Sequence, residues 1–187
     1  RLSVYSKRYE AACEIYLQVA SSQKLPDIPG RRKERWLINR AYLYYLKAAG
    51  RISSDLVGTF KLGKFMNSLP NLYKQKEGNN IPILIINILF LIQTGKHIQA
   101  IYRIDAVEKY LTRYLKRGEN YRSKCFIKIL LQFAKADFEI KEGRRRTRSW
   151  YNKLVAHPLE TSHQSYEIEV IPYEDLYDIL MDLPLTN

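Results

Sequence analysis

The longest apolar run of the chain lies between Ile81 and Thr94 and reads IPILIINILFLIQT. It is shorter than the roughly 20 apolar residues that span a bilayer. It is too long for one buried strand, and its Leu, Asn and Gln residues suit a helix better. The run therefore predicts a helix that is buried on both sides. Gly95 is predicted to form a tight turn into the next helix.

Apolar residues recur with helical spacing along most of the chain, and Gly or Pro separates the periodic segments. Helices are predicted at 1–24, 31–49, 59–69, 81–94, 96–117, 121–142, 144–157 and 173–183. Gly118 and Gly143 are interpreted as helix stops. The stretch SYEIEVIP (165–172) alternates with a period of two. The short connections favour an all-α fold in which several helices lie between neighbours.

The segment around Gly95 resembles one unit of the tetratricopeptide repeat family. Gly95 stands at the turn between two helices, and His97 takes the usual aromatic place. Ala100 is the small residue that lets the helices approach, and Ile104 continues the packing face. The strongest match covers 81–114, although the Pro that ends a repeat is absent at Thr112. Weaker likenesses occur at RYEAA (8–12) and at RAYLYYLKAAGRI (40–52).

This resemblance implies a tetratricopeptide-like α-solenoid, which is an array of antiparallel helical hairpins. It also implies a non-catalytic scaffold or regulatory module that holds peptides or partner domains in a groove. A compact helical bundle without repeats is the alternative architecture.

The charge is distributed unevenly. The chain has 31 Lys and Arg residues against 19 Asp and Glu residues, a net charge of +12. No Lys or Arg follows Lys153, so residues 154–187 carry −7 and residues 1–153 carry +19. We expect a basic helical-repeat body over 1–159 and an acidic C-terminal tail or cap over 160–187, within the same domain. Because the chain opens at Arg1 in a helix-like pattern, it is also expected to be the C-terminal part of a longer protein.

The basic runs are the candidate partner-binding residues, because a strong basic excess attracts acidic surfaces or polyanions. On the helix predicted at 144–157, Trp150 lies between Arg146 and Lys153, which suits base stacking as well as phosphate contact. The predicted binding residues are Arg31, Arg32, Arg35, Lys109, Arg113, Arg144, Arg145, Arg146, Arg148, Trp150 and Lys153.

The predicted partner is an acidic protein or peptide, which binds a basic, Tyr-rich helical groove. The alternative is a nucleic-acid-binding module of a regulator or of a nucleic-acid-processing assembly. The tail at 160–187 is interpreted as a cap on the last apolar face. A further hypothesis makes it a lid over the basic surface, whose deletion should raise affinity for anionic partners. The sequence leaves the oligomeric state open.

The sequence carries no pattern typical of a catalytic or metal site. His97, His157 and His163 share no metal-binding spacing with one another or with cysteine. Cys13 and Cys125 lie in apolar helical patterns and are predicted to be buried, reduced thiols of a cytoplasmic protein. We therefore expect a protein that is not an enzyme, binds no cofactor and does not enter a membrane.

Overall fold

The computed structural model describes residues 2–20, 30–53, 60–68, 81–114, 121–159 and 169–183. All regular secondary structure in these ranges is helical, which confirms the predicted all-α class for this part of the chain. The helices are α1 Leu2–Tyr5, α2 Tyr9–Ala20, α3 Gly30–Ala48, α4 Leu62–Asn67, α5 Ile81–Gln93, α6 His97–Tyr114, α7 Tyr121–Ala134, α8 Ile140–Val155 and α9 Tyr173–Met181.

The chain divides into two compact units, 1–72 and 73–187. In the first unit, α2 packs against α3. The rings of Tyr16 and Trp36 lie 5.1 Å apart between these helices. Ser53 Oγ donates a hydrogen bond of 2.6 Å to Glu10, which joins the segment after α3 to α2. The boundary predicted between 159 and 160 falls inside the second unit.

The second unit holds α5 to α9, and each helix from α6 to α9 contacts the helix before it along the chain. Helix α5 is buried at every residue from Ile81 to Ile92, as its continuous apolar run predicts. The helix ends where Gly95 adopts a φ of +67°. The Lys96 N–H donates back to Leu91 O at 2.9 Å, which closes the last turn before α6.

The first predicted helix is wrong in one respect, because the helix does not run unbroken from residue 1. Helix α1 ends at Tyr5 and α2 begins at Tyr9. Lys7 lies between them with a φ of +56°, a left-handed conformation that cannot continue a right-handed helix.

The predicted break at Gly143 is also wrong. Helix α7 ends earlier, at Ala134, because Asp137 and Phe138 adopt φ values of +51° and +60°. Helix α8 then begins at Ile140 and continues through Gly143. The Glu139 carboxylate caps it by accepting hydrogen bonds from two backbone N–H groups of the first turn, at 2.9 and 2.5 Å.

Gly143 of α8 lies directly against the ring of Phe133 on α7. A Cβ atom built at this position would lie 2.4 Å from Cδ2 and 2.7 Å from Cε2 of Phe133 on α7. Carbon atoms that are not bonded do not approach within 3 Å, so only glycine fits there without a shift of the ring. Phe133 is fully buried and packs edge-on against Phe138, with ring centroids 5.4 Å apart.

Helix α9 packs against α8 and α7, so the described part of the acidic tail belongs to the core of the second unit. Tyr173 stacks on Phe126 of α7 with ring centroids 4.6 Å apart and planes within 5°. The Tyr177 hydroxyl lies 3.0 Å from Thr147 Oγ1 of α8, and both residues are buried. These contacts agree with the predicted role as a cap on an apolar face. The rest of the tail, 160–168 and 184–187, lies outside the described residues.

Candidate partner-binding surface

Helix α8 carries six of the eleven predicted binding residues, and its burial pattern separates two faces. One face is buried against the rest of the unit and includes Gly143, Thr147 and Leu154. The opposite face is exposed and includes Arg145, Arg148 and Asn152. Because 3.6 residues make one turn, these three form a single outward stripe, as predicted. We call this stripe, together with Trp150 and Lys153, the basic α8 surface.

Two of the arginines of α8 share one carboxylate. Glu142 accepts hydrogen bonds from Arg145 Nε at 2.7 Å and Nη2 at 2.6 Å, and from Arg146 Nε at 2.6 Å. The hydrogen bonds from Arg145 and then Arg146 lower the pKa of the Glu142 carboxyl to about 2. Arg145 still keeps 72% of its side chain exposed, so a partner can reach it from solvent.

The remaining arginines of this run differ in their surroundings. Arg144 turns toward the tail, where Nη2 donates to Met181 O at 3.1 Å and to Asp182 Oδ1 at 3.4 Å. Arg148 is exposed, and none of the ion pairs found among the described residues includes it. The tail therefore contacts the edge of α8 at Arg144, whereas Arg148 projects from the outward stripe.

Trp150 lies beside two lysines at the edge of the basic α8 surface. Lys153 Nζ lies over the indole ring, 4.2 Å from its centroid, and Lys128 Nζ of α7 is 6.0 Å away. Both distances are in the range of cation–π attraction. The sequence predicted an aromatic between two cations, but with Arg146 in place of Lys128. Lys128 also forms an ion pair with Glu108 of α6, so these contacts join three helices at one surface.

The other predicted binding residues lie on different helices. Lys109 and Arg113 are exposed on α6, in the same unit as α8. Arg35 is exposed on α3, which belongs to the first unit. Arg31 and Arg32 lie within α3, and their side chains are outside the described part of the chain. The candidates on α6 and α8 thus belong to the same unit.

The sequence did not indicate the buried charge cluster around Arg122. Arg122 belongs to a basic run of α7, yet only 6% of its surface is exposed. Its guanidinium donates to Glu169 at 2.6 and 3.0 Å and to Glu174 at 2.9 and 2.6 Å. It also donates to the backbone oxygens of Leu154 and His157. One arginine of the body therefore binds two of the seven acids of the tail.

Burial and hydrogen bonding act in opposite directions on this cluster. Burial alone lowers the pKa of Arg122, but the hydrogen bonds to Glu169 and Glu174 outweigh it and raise that pKa above its usual value. Burial raises the pKa of the Glu169 carboxyl, and the hydrogen bonds from Arg122 oppose that rise. Arg122 and Glu169 thus each stabilise the charged form of the other inside the protein.

The residues of the proposed repeat signature lie along the α5–α6 connection. Gly95 occupies the left-handed turn described above, and the ring of His97 lies 4.4 Å from the ring of Phe138. Ala100 and Ile104 are fully buried on the inner face of α6. Each residue therefore has a packing or backbone role at this turn.

The described residues hold no group of three or more His, Cys, Asp or Glu side chains that could bind a metal ion. Cys13 and Cys125 are buried and form no disulfide, as predicted, and burial raises the pKa of Cys125. A thiol with a raised pKa is a poor nucleophile at neutral pH. No helix in the described ranges is both long and apolar enough to cross a membrane.

The chain was compared with protein-family models, with curated proteins and with solved structures, and none of these comparisons gave a match.

Proposed function

We propose that this protein is a non-catalytic interaction module, a scaffold or regulatory component, that binds an acidic protein or peptide through the basic α8 surface. Three features of that surface support the proposal. Arg145 and Arg148 are exposed on the outward stripe of α8, Arg145 keeps 72% of its side chain exposed, and the Lys153 ammonium lies over the Trp150 ring on another side of the helix. Arginine and tryptophan are both enriched at protein interfaces.

The observation that carries the proposal is where the acids of the tail lie. Glu169 and Glu174 bind the buried Arg122, and Asp182 contacts Arg144 at the edge of α8. None of these described acids pairs with Arg145, Arg148 or Lys153. Within the described part of the acidic tail, 169–183, no acid forms an ion pair with the outward stripe, where an external anion can bind.

The surroundings of Trp150 favour a carboxylate-bearing partner over stacked bases. Lys153 lies 4.2 Å from the ring centroid and covers a face of the indole. A base could stack on that face only after displacing the lysine, which would cost the cation–π contact. A carboxylate, in contrast, can bind the exposed ammonium without moving it.

We also propose that α5 to α8 form successive helical hairpins of a tetratricopeptide-like solenoid. Two observations support this arrangement: consecutive helices contact each other, and the turn between α5 and α6 is only three residues long. A helix that is buried along its whole length, as α5 is, suits an inner position in such an array.

Binding can be tested by fluorescence anisotropy with a labelled poly-glutamate peptide and the full chain. Arg148→Glu and Lys153→Glu should each weaken binding about fivefold, as expected for exposed charge pairs. Lys135→Glu makes the same charge change at an exposed turn and serves as the control. Glu142→Gln should strengthen binding, because it releases Arg145 and Arg146 from their shared carboxylate.

An equal loss in the Lys135→Glu control would show that the peptide senses only net charge and would refute a site on α8. Labelled duplex and single-stranded DNA form the second arm. If either DNA binds more tightly than the peptide, with an affinity that falls steeply with salt, the protein is a nucleic-acid-binding module instead.

A further inference from the structure

Helix α6 exposes large apolar side chains on its outward side. Ile98 is 71% exposed and Tyr102 is 72% exposed, and they lie one turn apart. Ile101, at 37% exposure, lies beside them. Single exposed apolar residues are common on soluble proteins, but three neighbours at i, i+3 and i+4 form a continuous patch.

The exposed patch does not result from loose packing of α6 against the core. The inner side of α6 is fully used, with exposures of 0–2%, by Ala100, Ile104, Val107 and Leu111. At 100° per residue, Ile98 and Tyr102 lie on the opposite side of the helix from these four. The exposed patch is therefore additional to what the fold itself needs.

The same outward side continues into positive charge. Lys109 and Arg113 follow two to three turns after Tyr102 and are exposed. Tyr102 and Lys109 are separated by about 10 Å along the helix axis. Asp105 lies between them and is half-buried. Glu108 of the same helix forms an ion pair with Lys128 of α7.

We propose that the outward face of α6, defined by Ile98, Ile101, Tyr102, Lys109 and Arg113, docks an acidic amphipathic helix of a protein partner. The partner would place apolar residues against Ile98 and Tyr102. Its carboxylates would lie two turns away, against Lys109 and Arg113. This is the helix-on-helix form of recognition, in which apolar contacts give affinity and charges set the direction.

Charge identifies the occupant. A second copy of this chain carries +12 and would bring the basic face of one molecule near another cation-rich surface. An acidic helix meets both the apolar patch and the cations. The inference rests on the proposed function for the acidic character of the partner, but it uses a different helix and adds the requirement for an apolar face.

The experiment uses the full chain and three labelled synthetic peptides. The first is an acidic amphipathic helix with Leu at i, i+3, i+4 and i+7 and Glu elsewhere. The second has the same composition with the Leu positions scrambled, and the third keeps the Leu pattern but replaces Glu with Lys. The first peptide should bind at least tenfold more tightly than the other two, because only it offers both features.

Variants locate the site. Ile98→Ala and Tyr102→Ala should each weaken the first peptide about tenfold. Ile15→Ala, which removes a comparably exposed isoleucine (51%) from α2, should leave its affinity unchanged. Lys109→Glu should weaken it several-fold more than the control Lys135→Glu. Circular dichroism will check that each variant folds, which we expect because the altered side chains are exposed.

Four outcomes overturn the inference. If the scrambled peptide binds as tightly as the first peptide, the partner does not need an apolar face. If the Ile98→Ala and Tyr102→Ala variants bind the first peptide with full affinity, the binding site is not on α6. If Arg148→Glu still weakens poly-glutamate in these cases, the proposed function stands without the α6 site. If neither acidic peptide nor poly-glutamate binds, both proposals fail. If sedimentation shows a dimer that Tyr102→Ala dissociates, the occupant is a second copy.

Discussion

The close contact between α7 and α8 at Gly143 allows a quantitative prediction of how a substitution there changes stability. Alanine normally stabilises a helix interior by about 1 kcal/mol relative to glycine. At Gly143 the added methyl group would lie 2.4 Å from Phe133 Cδ2, so the ring or the helices must move. Forcing extra carbon into a packed core costs about 1–3 kcal/mol. We therefore expect Gly143→Ala to lower the free energy of unfolding by about 0–2 kcal/mol, despite the better helix propensity of alanine.

Gly63 on α4 is the matched control. A Cβ atom at that position meets nothing within 4 Å. Gly63→Ala should therefore show the propensity gain alone, a stabilisation of about 0.5–1 kcal/mol. The comparison between the two glycines separates the clash from the general effect of adding a methyl group to a helix.

Tryptophan fluorescence during urea denaturation can report the two units separately. Trp36 lies in the first unit and Trp150 in the second. Gly143→Ala is measured in a Trp36→Phe background, where Trp150 is the remaining tryptophan. Gly63→Ala is measured in a Trp150→Phe background. The midpoint and the slope of each transition give the free energy change.

A double-mutant cycle identifies the partner of Gly143. Phe133→Leu removes the ring atoms that the new methyl group would meet. In that background Gly143→Ala should become neutral or stabilising, a coupling of at least about 1 kcal/mol. If Gly143→Ala raises the stability of the wild-type protein as much as Gly63→Ala does, the close approach of α7 and α8 is refuted.

Three further predictions test other features of the fold. Ala100→Leu should destabilise the second unit by about 1–3 kcal/mol because Ala100 is fully buried, whereas Ala106→Leu on the exposed side of α6 should change stability by less than about 0.5 kcal/mol in urea denaturation. Arg122→Met should cost about 3–5 kcal/mol at neutral pH by leaving Glu169 buried without its cation. Since burial raises the pKa of Glu169, this variant should regain stability as the pH falls below that pKa and lose it as the pH rises, and a pH-independent loss would contradict this. The Glu142 carboxyl, with a pKa of about 2, should titrate well below an ordinary glutamate when followed by NMR. Its contribution to stability should be present above the pKa of the unfolded state and be lost as the pH falls through about 2. Arg145→Gln should raise the pKa of Glu142.

The sequence was informative where one signal dominated. The apolar run at Ile81–Gln93 could form only a buried helix, and the glycine after it marked the turn. At position 143, a glycine is compatible with two different structural roles. A glycine can end a helix through a left-handed φ, or it can lie inside a helix where another helix approaches closely. The identity of the facing residue, Phe133, decides between them, and the local sequence does not reveal it.

That error hid part of the candidate site. With a helix break placed at Gly143, Glu142 was assigned to one helix and Arg145 and Arg146 to the next. In the continuous α8, the spacings i, i+3 and i, i+4 place both arginines beside that carboxylate. The residue that marks the start of α8 is Glu139, which caps the helix with its side chain.

The burial of Arg122 could be predicted from the sequence, but its partners could not. Arg122 lies four residues before Phe126, so it shares a helix face with the buried Phe126, Ile129 and Phe133. Its partners could not be found in this way. Glu169 is 47 residues further along the chain, and helical periodicity carries no information about contacts at that separation.

The long separation between Arg122 and its partners has a consequence during synthesis. Helices α7 and α8 are synthesised before residues 169–174, so until those residues dock the aromatic surface around Phe126 lacks Tyr173 and the Arg122 charge lacks Glu169. Because contacts of high sequence separation form slowly, we expect folding of the second unit to be completed only when α9 docks. A chain that stops before α9 would present to chaperones and proteases both an apolar surface and an unpaired cation.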